Sequence, residues 1–179
     1  MKKIKLKNGK VVNIRKVLVS DAEKLIEYVK KVSGETDFLT FSPDEFKTTI
    51  KKQKEYLKKY TLRENCLALI AVDEDGRVIG MLDFDGGQKS RTQHSGEFAI
   101  TVLKEYWGLG IGKAMINYLI DWAKNSGTIR KIDLKVRSDN ERAITLYKNL
   151  GFVPEGEISR FFYIDGSFYS VLCMGLKID

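Results

Sequence analysis

The segment Trp107-Gly108-Leu109-Gly110-Ile111-Gly112-Lys113 separates an alternating apolar stretch from an amphipathic one, and its three glycines restrict what the chain can build there. Glycine adopts positive φ without penalty and lets the backbone approach another molecule closely. The first N–H groups of a helix have no partner within the helix. A glycine turn that leads into a helix is therefore an anion site, suited to a pyrophosphate. Spacing disfavours two users of this device. A dinucleotide fold wants G-x-G-x-x-G, but position 113 is lysine, and the acidic residue at the expected distance, Asp133, falls near a strand start. A P-loop needs Lys-Ser or Lys-Thr after four spacers, and here Lys113 precedes Ala114. Coenzyme A binding is the third user. The structural alternative is a turn that serves packing alone.

The elements around this turn read as one unit over residues 1–179, with no repeat, low-complexity segment or linker. Residues 3–17 predict a hairpin about a type I′ turn at Asn8-Gly9. Ser20 and Glu23 predict a capping box, followed by a helix with Ala22, Leu25, Ile26, Val29 and Val32 on one face. A second helix is expected to open at Ser42 with Pro43 first and Glu45 third. Its apolar face is Phe46, Ile50 and Leu57, and Lys47, Lys51, Lys54 and Lys58 line another. Strands are expected at residues 66–72, 78–84, 96–102, 131–137, 152–153, 159–164 and 168–176. A helix follows the glycine turn to about Ser126, and a third capping box at Ser138-Asp139-Asn140-Glu141 opens a short one to Leu150. The class is mixed α/β: an antiparallel meander, a strand–helix–strand crossover and a closing hairpin.

Composition narrows the chemistry. The chain is 43% apolar and 31% charged, an ordinary balance for a globular domain. No apolar run reaches membrane-spanning length, and the start Met1-Lys2-Lys3-Ile4-Lys5 lacks a secretory apolar segment, so the expected compartment is the cytoplasm. Cys66 and Cys173 read as free buried thiols, and His94 alone cannot build a metal site with them. The net charge of +7 is uneven: residues 1–60 carry 16 basic and 8 acidic groups, the rest 15 and 16. Solvated lysines explain the basic third better than a nucleic-acid surface does.

Taken with the order of elements, the turn Gly108-Leu109-Gly110-Ile111-Gly112 and the run Asn140-Glu141-Arg142-Ala143-Ile144-Thr145-Leu146-Tyr147-Lys148-Asn149-Leu150-Gly151-Phe152 resemble the GCN5-related N-acetyltransferase (GNAT) family. In that family the second run reads Asn-x-x-Ala-x-x-x-Tyr and then Leu-Gly-Phe, and every such position is matched. The segments at 35–39 and 165–169 look like the bacterial branch near ribosomal-protein and small-molecule acetyltransferases. One departure is Trp107, where the family often has arginine or glutamine; Lys113 or Lys104 are candidates to compensate.

The resemblance implies a mostly antiparallel sheet of about seven strands with flanking helices and a V-shaped split between the strands at 96–102 and 131–137. Acetyl coenzyme A would lie there as acyl donor, with no metal. Its pantetheine arm would pair with the backbone of Ile100, Thr101 and Val102. A backbone N–H near Ala99 or Ile100 would polarise the thioester carbonyl. Trp107, Gly108, Leu109, Gly110, Ile111, Gly112 and Lys113 would hold the pyrophosphate, with Asn140 and Ala143 beside the arm. Tyr147 is the candidate general acid, although its spacing also suits core packing. Glu97 is the candidate base for an alkylammonium acceptor, against a salt-bridged strand residue; Asp83 and Asp85 are weaker alternatives. The implied activity is direct acetyl transfer, in a ternary complex, to a primary amine on a small molecule or a peptide N-terminus. Phe38, Phe41, Phe161, Phe162 and Tyr163 could line the acceptor pocket or be ordinary core. Pairing of final strands between subunits is frequent in this fold, which makes a homodimer consistent with it. Alternatives are a non-catalytic coenzyme A sensor on the same fold, a basic nucleic-acid or ribosome-associated module using residues 1–60, and a dinucleotide enzyme.

Overall fold

The computed structural model describes residues 2–179; Met1, which opens the basic start, lies outside them. The elements in chain order are β1 (Lys2–Lys5), β2 (Val11–Lys16), α1 (Ala22–Ser33), α2 (Ile50–Leu62), β3 (Cys66–Val72), β4 (Val78–Gly86), β5 (Ser95–Val102), α3 (Ile111–Asn125), β6 (Lys131–Arg137), α4 (Glu141–Asn149), β7 (Val153–Ile164) and β8 (Ser167–Lys177). They form one sheet in the order β1-β2-β3-β4-β5-β6-β8-β7. Every neighbouring pair is antiparallel except β5–β6. The mixed α/β class is therefore observed, with eight strands where about seven were expected. The two pieces at 152–153 and 159–164 are one strand, β7, whose pairing with β8 shifts register between Pro154 and Gly156 and between Ile158 and Phe162.

The two sheet faces separate cleanly. Because side chains alternate along a strand, Phe84 and Phe98 point to the α3/α4 face. There Phe84 meets Trp122 edge-on and Phe98 meets Tyr147 and Phe152. Their neighbours Asp83, Asp85 and Thr101 point to the α1/α2 face, where Thr101 hydrogen-bonds the buried Tyr28 hydroxyl at 2.8 Å. β3 is buried along nearly its whole length, as its apolar run Cys66-Leu67-Ala68-Leu69-Ile70-Ala71 requires. Among the described residues no helix is long and apolar enough to cross a membrane.

Four local expectations are corrected. Asn8-Gly9 does not form a type I′ turn: only Gly9 takes positive φ (+87°), and Leu6 N–H bonds Lys10 O across a three-residue loop. The Asn8 side chain accepts from Lys10 N–H, which suits the longer loop. The Ser20/Glu23 box is absent from the entry to α1. Asp21 takes that part, accepting from Leu18 N–H at 2.8 Å and from both ends of the Arg15 guanidinium at 2.7 Å. Ser42 and Glu45 do pair, but they enclose a single 3-10 turn at Pro43–Glu45. Phe46 then leaves helical conformation (ψ 81°) with its ring against Phe41, and α2 starts only where the Thr49 hydroxyl caps Lys52 N–H. The last box also moves: Asn140, not Ser138, is the N-cap of α4, accepting from Ala143 N–H at 3.2 Å.

The feature that positions the site is the short reach of the parallel pair. β5 and β6 are in register only at Ser95–Lys131, Gly96–Ile132 and Glu97–Asp133. Beyond these the strands part. Gly96 lies in this hinge, and a Cβ there would sit 2.4 Å from Asp85 O and 2.5 Å from the Phe84 ring. Gly96→Ala is expected to lower the unfolding free energy by about 2 kcal/mol through overpacking, measured by denaturant titration.

Candidate active site

The parity of β5 decides what the split offers. Leu103 N–H bonds Ile79 O and Gly87 N–H bonds Ser95 O, so odd-numbered residues of β5 turn their backbone groups towards β4. Even-numbered residues turn theirs towards β6, as the bonds from Arg130 and Lys131 N–H to His94 O confirm. Past Glu97 there is no β6 partner, which leaves the Ile100 N–H and C=O and the Val102 N–H as an open strand edge. Thr101, expected to contribute backbone, has its peptide groups on β4 and its hydroxyl on Tyr28. Of Ala99 and Ile100, only Ile100 presents its N–H to the split.

Two helix N-termini meet at the mouth, beyond the carboxyl ends of the diverging parallel strands, where ligands bind in open α/β sheets. The turn after β5 has Gly108 at φ +78° and Gly110 at φ +99°, the latter capping α3. Side chains are rarely tolerated at these angles. The first N–H groups of α3, at Ile111, Gly112 and Lys113, are free of helical partners. Leu109 is half-buried against the core, and Lys113 is exposed. Gly112 faces α4 and β5: a Cβ there would make only ordinary contacts, 3.5 Å from Leu146 and 3.9 Å from Ile100. Trp107 donates its indole N–H to Val102 O at 2.6 Å, closing the last carbonyl of β5. Ala143 is half-buried beneath the Asn140 cap.

Tyr147 is buried on α4 between Phe98 and Phe152, with ring centroids 5.9 and 6.0 Å away. Burial alone pushes its phenol up to about 12, so it is protonated at neutral pH. It has the surroundings of a core residue and the protonation state of an acid.

The opposite face carries the carboxylates. Glu97 is half-exposed and accepts from Lys135 Nζ on β6 at 2.5 Å, which is the ion-paired arrangement weighed against it from sequence. Asp83, directly across from Ala99, accepts hydrogen bonds from the Tyr56 and Tyr60 hydroxyls, each at 3.3 Å. Burial, then the charge of Asp85, raises the Asp83 carboxyl above the usual carboxylate range; the tyrosine bonds offset only part of this. Both tyrosines are raised as well, by burial first and then by Asp83. Lys59 seats its ammonium 2.8 Å from Asp85 and over both tyrosine rings, 4.8 and 4.6 Å from their centroids. Sequence reading missed Tyr56, Lys59 and Tyr60, although an aromatic pair four apart on a helix is a visible signal.

A third group ties the α1–α2 connection to the split. Arg137, at the end of β6, lies between the rings of Phe38 and Tyr169, 4.2 and 4.4 Å from their centroids. It also bonds Asp139 and both the side chain and carbonyl of Asp37. Phe38 is thus a platform for Arg137. Phe161 packs on Phe162, and Tyr163 on Phe168 at the exposed hairpin tip. A crevice of about 580 Å³, lined by residues such as Arg63, Asn65, Gly87 and Thr128, opens at the other end of the sheet, away from the mouth.

Comparison with known proteins agrees with this geometry. The family model described as "Acetyltransferase (GNAT) family" matches residues 35–152. The chain belongs to the GNAT family. An acetyltransferase of the GNAT family from Streptococcus pneumoniae superposes with TM-score 0.90 at 33% identity, covering 94% of this chain and 99% of that one. An acetyltransferase from Salmonella typhimurium, solved with acetyl coenzyme A, has TM-score 0.80 at 20% identity over 94% of each chain. The spermidine N(1)-acetyltransferase of Vibrio cholerae is 29% identical over 102 residues, 57% of this chain and 58% of its own length. The chain spans a little under two thirds of the length of the first curated relatives it matches.

Arg137 is the joint most exposed to test. Its side chain is 5% exposed, so Arg137→Gln leaves Asp37 and Asp139 without their cation and the ring sandwich without its centre. The expected result is a loss of about 2–3 kcal/mol together with faster amide exchange over residues 35–42.

Proposed function

We propose that the protein transfers the acetyl group of acetyl coenzyme A to a primary amine by direct attack in a ternary complex. The observation that carries this is the unpaired edge of β5 at Ile100 and Val102, ending in the glycine turn and the free N–H groups of α3. That edge suits the amide-bearing pantetheine arm as an added strand. The turn suits the pyrophosphate. Ile100 N–H is the donor available to a thioester oxygen. Asn140 lends its side-chain amide beside the arm while its oxygen caps α4.

The two sheet faces divide the proton transfers. The amine nitrogen bonds to the thioester carbon, the carbon–sulfur bond breaks, and the sulfur takes a proton from Tyr147 on the α4 face. The amine gives up its proton on the α2 face. Asp83 is the better base there, because its carboxylate has no ion-pair partner among the described residues and holds a proton more readily than an ordinary carboxylate. Glu97 is held by Lys135 at the bottom of the split. The acceptor is an amine on a small molecule or a peptide N-terminus; the relative from Vibrio cholerae is named for a polyamine. The free thiols Cys66 and Cys173 suit a cytoplasmic, reducing setting.

For assembly we infer a homodimer through β7. It is an edge strand with exposed Ile158, Phe161 and Tyr163, and its free backbone is self-complementary about a two-fold axis. Light scattering should give twice the 20.5 kDa chain mass; a monomer at all concentrations would refute this.

Calorimetric titration should give saturable binding of acetyl coenzyme A and none of NADH. With an amine acceptor, Tyr147→Phe should keep that binding and lower kcat by about 10²-fold. The acid limb of kcat/KM should lie above the ordinary carboxylate range, activity rising with pH as Asp83 loses its proton. Asp83→Asn should abolish that limb and Glu97→Gln should keep it; the reverse pattern would assign the base to Glu97.

A further inference from the structure

The segment 107–112 contributes no charged side chain of its own: it reads Trp-Gly-Leu-Gly-Ile-Gly. A pyrophosphate held there by backbone N–H groups alone would keep most of its charge unmatched. The structure brings a cation from elsewhere. Arg142, in the first turn of α4, lies with its guanidinium carbon 5.1 Å from the Trp107 ring centroid. One of its terminal nitrogens is 3.6 Å from where a Cβ of Gly108 would be. Arg142 is exposed and forms no ion pair among the described residues. Trp107 is itself fixed by the bond from its indole N–H to Val102 O, so the guanidinium rests on a rigid aromatic plate. Cation–π contact holds the group without consuming its N–H donors.

We infer that Arg142 is a phosphate-binding residue of the coenzyme A site, reaching across the mouth of the split to the pyrophosphate seated on the glycine turn. Three features converge on that spot. The N-terminus of α3 presents free N–H groups, α4 adds the positive end of a second helix, and the guanidinium supplies a full charge with paired donors that match phosphate oxygens. Trp107 acts as a positioning residue, orienting the arginine. Lys104 and Lys113, also exposed and free of ion pairs among the described residues, add to the field but do not approach Gly108 as Arg142 does.

The inference rests on coenzyme A binding at the split, and the test separates the two. Wild type, Arg142→Gln and Arg142→Lys are titrated with coenzyme A, dephospho-coenzyme A and S-acetylpantetheine, at low and high salt. Melting temperatures accompany each variant; an exposed side chain should change them little. Arg142→Gln should weaken coenzyme A about tenfold at low salt and less at high salt. It should weaken dephospho-coenzyme A by the same factor and leave S-acetylpantetheine unchanged. Arg142→Lys should fall between. Equal affinity of Arg142→Gln and wild type for coenzyme A would overturn the assignment, as would equal weakening of S-acetylpantetheine. A loss confined to coenzyme A and absent with dephospho-coenzyme A would move the contact to the 3′-phosphate and overturn the pyrophosphate assignment. Failure of the wild type to bind coenzyme A would refute the proposed function itself, and the Arg142 assignment with it.

Discussion

Everything at the site depends on where two parallel strands stop hydrogen-bonding. β5 and β6 share only three registered pairs, and past Glu97–Asp133 the β5 backbone has no partner on that side. Unpaired N–H and C=O groups inside a sheet are costly, so such a gap persists only where the rest of the structure enforces it. Here Gly96 packs without a side chain against Asp85 and Phe84 at the hinge, and β6 is held from its other side by seven registered pairs with β8. The split is thus a fixed feature of the sheet, open towards the ends where α3 and α4 begin.

The same alternation that opens the edge also sorts the chemistry. Even-numbered β5 residues turn backbone towards the split and side chains towards α3 and α4, where Tyr147 is buried and stays protonated. Odd-numbered residues face α1 and α2, where Asp83 sits between two tyrosine hydroxyls. A proton donor and a proton acceptor can therefore lie on opposite sides of one reacting centre without neutralising each other. The cations on the α1/α2 face are largely committed: Lys59 to Asp85, Lys135 to Glu97, Arg137 to Asp37 and Asp139. Among these groups Asp83 has no cation paired to it, and burial, then the charge of Asp85, raises its proton affinity.

Much of this was legible in the sequence, and the reasons are local. The glycine turn, the long strands at 66–72 and 131–137 and the helix to about Ser126 follow from short-range rules of φ, alternation and helical spacing. Helix starts were less legible, because Ser20, Ser42 and Ser138 offered the right residue type while Thr49 and Asn140 cap α2 and α4, and before α1 the Asp21 carboxylate bonds back to Leu18 N–H. Side-chain contacts just outside the helices accompany two of these starts: Arg15 on Asp21 before α1, and Phe41 on Phe46 before α2. Tyr56 and Tyr60 share a helix face, but Asp83 reaches them from β4 and Arg142 reaches Trp107 from α4, and no spacing rule makes those pairs. Thr101 shows the limit most plainly: its place in the strand was read correctly, but strand parity, which only the β4 register reveals, turns its backbone away from the split.

The most direct test of the central claim is residue-resolved amide hydrogen exchange along β5, with and without acetyl coenzyme A. The open-edge account predicts that Ile100 and Val102 exchange fast in the free protein and slow markedly on binding, while Ala99 and Thr101, already bonded to β4, change little. Protection of all four residues alike, or of none while the ligand is bound, would contradict it.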